Sequence, residues 1–178
     1  MNETGIPVLH VTVKPWQEQG QITYLNVTAA VDGMAVNKGE EVFRIQKETV
    51  SIPFCPVGEQ GFILTDEEGN AALYKEEIKQ YPITYEVYRA GRDLKGSFIL
   101  TYRFYPRTLP ENYRSSPYFD FRCEEDGANG AGITFLPKFP IGTCQISFQW
   151  DLKEMPEGSK GIWSEDYRCE EEKMLVDQ

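Results

Sequence analysis

Few residues of this 178-residue chain are of the types that carry out chemistry. There is one histidine, His10, and there are four cysteines, Cys55, Cys123, Cys144 and Cys169. A lone histidine rules out the commonest zinc-hydrolase site, and any histidine-rich metal centre, within this chain. It also leaves His10 as the only imidazole that could serve a nucleophile. His10 alternates with Leu9 and Val11, which puts its side chain on the polar face of a strand. No G-x-S-x-G elbow occurs, and Gly158-Ser159-Lys160-Gly161 has neither its spacing nor its strand-turn-helix setting. We therefore read His10 as a solvent-facing strand residue.

The cysteines are widely spaced, with no C-x-x-C pair. Cys144 falls in the apolar phase of Cys144-Ile146-Phe148-Trp150, where a free cysteine behaves as a small hydrophobe. Cys123 precedes Glu124-Glu125-Asp126, and Cys169 has similar neighbours; acids beside a thiol raise its pKa and blunt its reactivity. The first residues, Met1 to Lys14, lack the basic and apolar regions of a secretory signal. Free thiols in a reducing, cytoplasmic compartment are the expectation, although spacing alone does not fix the disulfide state. Asn26-Val27-Thr28 matches a glycosylation acceptor and is read as strand composition.

Two acidic loops, Asp66-Glu67-Glu68-Gly69-Asn70 and Glu124-Glu125-Asp126-Gly127, could offer oxygens to calcium. Neither has the spaced ligand pattern of a calcium loop, and hairpin turns use the same residue types. The glycines 127, 130 and 132 are followed by Ile133-Thr134-Phe135-Leu136, which reads as a strand, so they form no phosphate cradle. The chain has 28 acids, and nothing singles out a catalytic pair among them. Tyr102, Phe104, Tyr113, Tyr118, Phe119 and Phe121 are read as core. Tyr88 and Tyr105, out of that phase, are read as cross-strand packing rather than an exposed patch. No residue is assigned a catalytic, cofactor-binding or metal-ligating role.

The elements around these residues are strands. Apolar and polar residues alternate in Leu9–Val13, Leu25–Val31, Ile83–Val87, Phe98–Phe104 and Cys144–Trp150. Alternation of period two buries one face and wets the other, as in antiparallel sheets. Turn-formers separate the runs: Asp32-Gly33, Asn37-Lys38-Gly39, Gly91-Arg92-Asp93, and Glu68-Gly69-Asn70 between Phe62–Leu64 and Ala71–Tyr74. Lys75–Gln80 is too short for a helix. These patterns predict an all-β protein, an antiparallel β-sandwich of about ten strands with at most a short helix near the C-terminus. Residues 1–163 form the sandwich domain. Residues 164–178 read as an acidic tail or a linker to a downstream domain, six acids against two bases from Glu165 onward.

Composition supports a folded domain, with 40% apolar and 13% aromatic residues. Eighteen basic residues against 28 acidic ones give a net charge of −10, which argues against nucleic acid as a partner. No apolar stretch is long enough for a membrane span, so no membrane partner is expected.

Three stretches carry a resemblance. Gln80-Tyr81-Pro82-Ile83-Thr84-Tyr85-Glu86-Val87-Tyr88 is one. Tyr118-Phe119-Asp120-Phe121 followed by Gly132-Ile133-Thr134-Phe135-Leu136-Pro137 is the second. Ile146-Ser147-Phe148-Gln149-Trp150-Asp151-Leu152 with Met155-Pro156-Glu157-Gly158-Ser159 is the third. In this order, from about Leu9 to Trp163, the chain resembles the N-terminal β-sandwich domain of glycyl-aminopeptidase-type zinc metallopeptidases, which are related to the aminopeptidase N group. A Trp expected earlier in that domain is missing from Ile52-Pro53-Phe54-Cys55-Pro56-Val57-Gly58. The family's zinc site, His-Glu-x-x-His plus a distant Glu, belongs to a later domain and has no counterpart here.

The resemblance thus implies a non-catalytic domain with no cofactor of its own, packing on a downstream peptidase or pseudo-peptidase domain and lining its substrate cleft. Zinc would belong to that downstream domain, and the peptide substrate would be shared with it. The rival reading is an autonomous β-sandwich module that binds carbohydrate or protein through exposed aromatics.

Overall fold

The computed structural model describes residues 5–49, 52–53, 57–58, 60–106, 121–124, 127–163 and 174–177. Two long alternating runs open the chain, β1 (Val8–Glu18) and β2 (Gln21–Asp32). They are joined by Gln19-Gly20, with φ of 53° and 84°. Two left-handed residues in succession make the tight turn whose twist matches a hairpin. Next come β3 (Glu41–Thr49), β4 (Ile52–Pro53), β5 (Ile63–Asp66), β6 (Gly69–Ala71), β7 (Leu73–Gln80) and β8 (Ile83–Ala90). The last are β9 (Phe98–Phe104), β10 (Arg122–Glu124), β11 (Gly127–Asn129), β12 (Thr143–Trp150) and β13 (Met174–Asp177).

The protein is all-β, as the alternation predicts, with thirteen described strands rather than about ten. A seven-stranded sheet has the order β13-β12-β1-β2-β9-β5-β6, a four-stranded sheet the order β4-β3-β8-β7, and β10 pairs with β11. Neighbours are antiparallel except β1 and β12, which run parallel with Val11 opposite Phe148.

The core lies between the two larger sheets. Val13, Leu25, Val27, Ala29, Val31, Leu100 and Phe104 of the seven-stranded sheet are at most 1% exposed. Opposite them, Phe43 stacks on Tyr88 with centroids 4.7 Å apart, and Phe62 meets both rings edge-on at 4.8 Å. Phe104 stacks on Phe135 at 5.0 Å, and both meet Phe121 edge-on. Such contacts add about 0.5–1.5 kcal/mol each beyond the area they bury. The Tyr102 hydroxyl is enclosed in this core and donates to the Phe135 carbonyl.

Two expectations are corrected. Ile133-Thr134-Phe135-Leu136 is not a strand: Gly132–Thr134 forms a 3-10 turn, and Leu136 N bonds back to Gly132 O. The apolar side chains there serve to bury an irregular segment, with Phe135 1% exposed, so their run carries no sheet period. Ala71–Tyr74 is not one strand, because the chain leaves the seven-stranded sheet after β6 and enters the four-stranded sheet as β7. The C-terminal stretch 164–178, read as a tail or linker with at most a short helix nearby, lies mostly outside the described residues. Its end falls in β13, which pairs with β12, Cys144 opposite Val176.

Candidate functional site

A cleft of about 1070 Å³ opens on the described surface. Its walls come from distant parts of the chain: Pro15 and Ile22 of the first hairpin, Arg44 and Gln46 of β3, Tyr85 of β8, the stretch 127–138, and Trp150 with the stretch 152–163. Phe121 and Phe135, 4% and 1% exposed, contribute its most enclosed apolar surface.

Two backbone clamps hold these parts together. Arg44 N donates to Lys138 O at 2.9 Å, and Lys138 N donates back to Arg44 O at 2.8 Å. This ties the irregular stretch after the 3-10 turn to β3. On the opposite side, Asp151 N donates to Val13 O at 2.9 Å, which fixes the exit from β12 against β1.

The indoles are seated on glycine. A β-carbon at Gly132 would stand 2.4 Å from Trp163 Cη2, and one at Gly161 would stand 2.2 Å from Trp150 Cγ. Trp163 also stacks on Phe148 at 4.3 Å, and Phe148 meets Trp150 edge-on at 5.6 Å. The stretch 152–163 thereby folds back over the end of β12. Trp150 Nε1 is buried and has no hydrogen-bond partner among the described residues.

The charge in the cleft is unevenly committed. Arg44 gives two hydrogen bonds to Glu41, Nε to Oε1 at 2.6 Å and Nη2 to Oε2 at 2.7 Å. Those bonds hold the Arg44 proton more firmly than usual, and its guanidinium lies 5.6 Å from the Tyr85 ring. Lys138 and Lys160 have no ion-pair partner among the described residues, and both are exposed. No Asp or Glu is among the described lining residues. The described lining thus combines apolar surface with two ammonium groups outside any described ion pair.

The residues considered from sequence lie elsewhere or are occupied. His10 is exposed on β1, its Nδ1 sharing a hydrogen bond with Ser147 and its Nε2 lying 3.3 Å from the Thr12 hydroxyl. Hydroxyls thus meet both ring nitrogens, and no carboxylate orients the ring among the described residues. Cys144 is buried in β12, as its phase predicts. Cys123 is partly buried, its thiol donating to Ile22 O at 3.0 Å. Burial pushes the Cys123 thiol up. Cys55 and Cys169 lie outside the described residues, as do Tyr113, Tyr118, Phe119 and the acids 125–126.

The first acidic loop is a structural turn. Asp66 accepts both Arg92 terminal nitrogens at 2.6 Å and the amides of Lys95 and Glu68, so its oxygens are spent. Among the described residues no group of three or more His, Cys, Asp or Glu is placed to hold a metal. Asn26 sits mid-strand in β2 and accepts from Arg103 Nε at 3.3 Å. Tyr88 packs across strands on Phe43 and donates to Glu86, and Tyr105 meets Tyr24 at 6.1 Å.

Sequence reasoning passed over Trp150, Trp163, Lys138 and Lys160. Each glycine–tryptophan seat joins segments that only folding brings together. The weak signal was the clustering of Gly158, Gly161 and Trp163 just after a well-formed strand.

The class that the fold defines is an all-β sandwich. No protein-family model and no curated protein sequence matches the chain. Solved structures do. An aminopeptidase N family protein of Idiomarina loihiensis is similar at 11% identity and a TM-score of 0.41, over 84% of this chain and 23% of that one. The M1 zinc metallopeptidase of Deinococcus radiodurans is similar at 18% identity and a TM-score of 0.33, over 80% and 30%. A mutant of that enzyme with a Tyr-Ser-Ala substrate bound is similar at 17% identity and a TM-score of 0.32, over 80% and 30%. The chain spans less than a third of the length of each.

Proposed function

We propose that the chain acts as the non-catalytic N-terminal β-sandwich domain of a metallopeptidase-like protein. It packs on a downstream peptidase or pseudo-peptidase domain and lines the substrate cleft there, with zinc held by that domain and none by this one. The protein is then cytoplasmic, with Cys123 and Cys144 reduced.

One observation carries this reading. From the third stretch that carries the resemblance, Trp150, Leu152, Met155 and Ser159 line the cleft, and Trp163 lines it too. A domain that works beside another needs its binding surface near the chain's crossing point, and Trp163 is the last described residue before position 174. The lining offers shape and apolar surface, which suits exclusion of water and positioning more than bond cleavage.

The test is the reading frame that follows residue 178. The expected frame encodes a further domain, with His-Glu-x-x-His and a distant Glu in a peptidase or with those residues replaced in a pseudo-peptidase. A stop codon directly after residue 178 would overturn the reading and favour the autonomous binding module.

A further inference from the structure

We propose that the outer face of the seven-stranded sheet is a self-association surface, on which a second copy of this chain stacks face to face about a two-fold axis running across the strands. The inference rests on this chain's own sheet and does not depend on any neighbouring domain.

The side chains that point away from the core form two uncharged rows. Ser147, His10, Ala30, Ile99 and Thr65 are successive partners across β12, β1, β2, β9 and β5. Gln149, Thr12, Thr28, Thr101 and Ile63 make the row beside them. Neither row holds an Asp, Glu, Lys or Arg, in a chain where 26% of residues are charged. Depletion of charge marks the centre of a protein interface. Ile63 and Ile99 are 43% and 44% exposed and lie diagonally across the β5–β9 pair, with Ala30 opposite Ile99. The polar groups of the face bond to one another: His10 meets the Ser147 and Thr12 hydroxyls, and Thr65 donates to Asn70. Groups already paired lose little when water leaves, so this face is cheap to cover.

Charge complementarity selects the occupant. Two copies of a chain with a net charge of −10 repel each other over most of their surface, and an acid-free face is where they can meet. Beyond one end of the two rows lies Arg103, opposite Asn26; beyond the other lies Asp32, which accepts from Ser97. Neither has an ion-pair partner among the described residues, whereas Lys14 in the Arg103 row is paired with Glu154. On β2, Asn26 and Asp32 stand equally far from Ala29. A two-fold axis across the strands at that level sets Arg103 of one copy over Ser97 and Asp32 of the other. The same operation lays Ile99 over Thr101 and Ile63 over Thr65, so the exposed isoleucines of both copies close into one patch. With strands about 4.8 Å apart and about 3.3 Å per residue, the face offers about 500 Å² per copy. A total of about 1000 Å² is the size of a weak, reversible dimer.

The experiment is sedimentation equilibrium of the 178-residue chain between about 5 and 500 µM at moderate salt. The expected result is a reversible monomer–dimer equilibrium with nothing larger. Ile99→Glu and Thr28→Arg, which set like charges against each other at the centre of the face, each weaken the dimer at least about tenfold. Asp32→Arg and Arg103→Asp each weaken it several-fold. The double variant Asp32→Arg/Arg103→Asp restores the dissociation constant to within about threefold of wild type. Tyr74→Arg, on β7 of the other sheet, leaves it unchanged.

Any of the following would overturn the proposal: a monomer at every concentration, which would leave the face to a partner of different sequence; a series of larger assemblies; a dimer that survives both Ile99→Glu and Thr28→Arg; a charge-swapped double variant no tighter than its single parents; or loss of the dimer in Tyr74→Arg. A circular-dichroism melt of each variant confirms that it is folded before its mass is read.

Discussion

Gly161 lies against the indole of Trp150 so closely that a β-carbon at 161 would stand 2.2 Å from Trp150 Cγ. Gly132 stands in the same relation to Trp163, at 2.4 Å from Cη2. The two tryptophans flank Phe148, so one aromatic stack and two glycines decide how the stretch 152–163 lies on the end of β12. The cleft has its shape because of these seats.

Replacing either glycine by alanine forces a rigid ring to move. Gly132→Ala and Gly161→Ala should each destabilise the fold by about 1–3 kcal/mol, the usual cost of overpacking. Both should shift the tryptophan emission. Gly127→Ala is the control: among the described residues nothing lies within 4 Å of where its β-carbon would stand, and the expected change is within about 0.5 kcal/mol. Urea unfolding followed by fluorescence and by circular dichroism checks all three.

Asp66 and Arg92 join the β5–β6 hairpin to the connection between β8 and β9. The Arg92 hydrogen bonds, with the amides of Lys95 and Glu68, hold the Asp66 carboxyl well below the usual carboxylate range. A folded-state pKa below the unfolded one, about 3.9 for Asp, adds stability at neutral pH. That contribution is present above the unfolded pKa and is lost as the pH falls below it. Asp66→Asn should therefore lower the melting temperature at pH 7, and the gap from the wild-type protein should narrow as the pH drops below about 4. A gap that stays constant from neutral pH down to about 2.5 would contradict the assignment.

Tyr102 donates its hydroxyl to the Phe135 carbonyl inside the core. Burial pushes this phenol well above its ordinary pKa, so it stays a donor at any pH at which the protein is folded. Tyr102→Phe keeps the ring and leaves the carbonyl without that donor, at a cost of about 1–3 kcal/mol. Phe104→Ala, which opens a hole beside Phe135 and Phe121, should cost about 3–5 kcal/mol. Chemical denaturation of the two variants gives the order Phe104→Ala below Tyr102→Phe below wild type.

Cys144 is fully enclosed, and Cys123 is partly buried with its thiol pushed up by that burial. Iodoacetamide applied to the native protein at pH 7 should spare Cys144 and label Cys123 slowly, with the rate at Cys123 rising as the pH is raised. Mass-spectrometric mapping separates the two positions. Rapid labelling of Cys144 in the folded protein would contradict the packing described for β12.

Where a strand buries one face only, its residues announce it. Leu9, Val11 and Val13, or Phe98, Leu100, Tyr102 and Phe104, show the alternation and take their expected places. Three physical causes hid the remainder. In β3 a bulge between Glu41 and Phe43 turns Val42 and Phe43 inward in succession, both fully buried, which breaks the period. In β7 most side chains are exposed on both faces, so Tyr74-Lys75-Glu76-Glu77 has no pattern to read. Around Phe135 the apolar residues pack an irregular segment held by a 3-10 turn. The cleft was hidden for a further reason: Lys138 gains its position through Arg44, and Trp163 through Gly132, contacts that exist only after folding.

The central proposal, that this chain performs no peptide hydrolysis itself, is tested most directly by metal analysis and aminopeptidase assay of the purified 178-residue chain beside any longer product of its reading frame. The predicted result is neither stoichiometric zinc nor turnover of aminoacyl substrates in the isolated chain, with any zinc and any turnover confined to such a longer product. Stoichiometric zinc together with turnover in the isolated chain would contradict it.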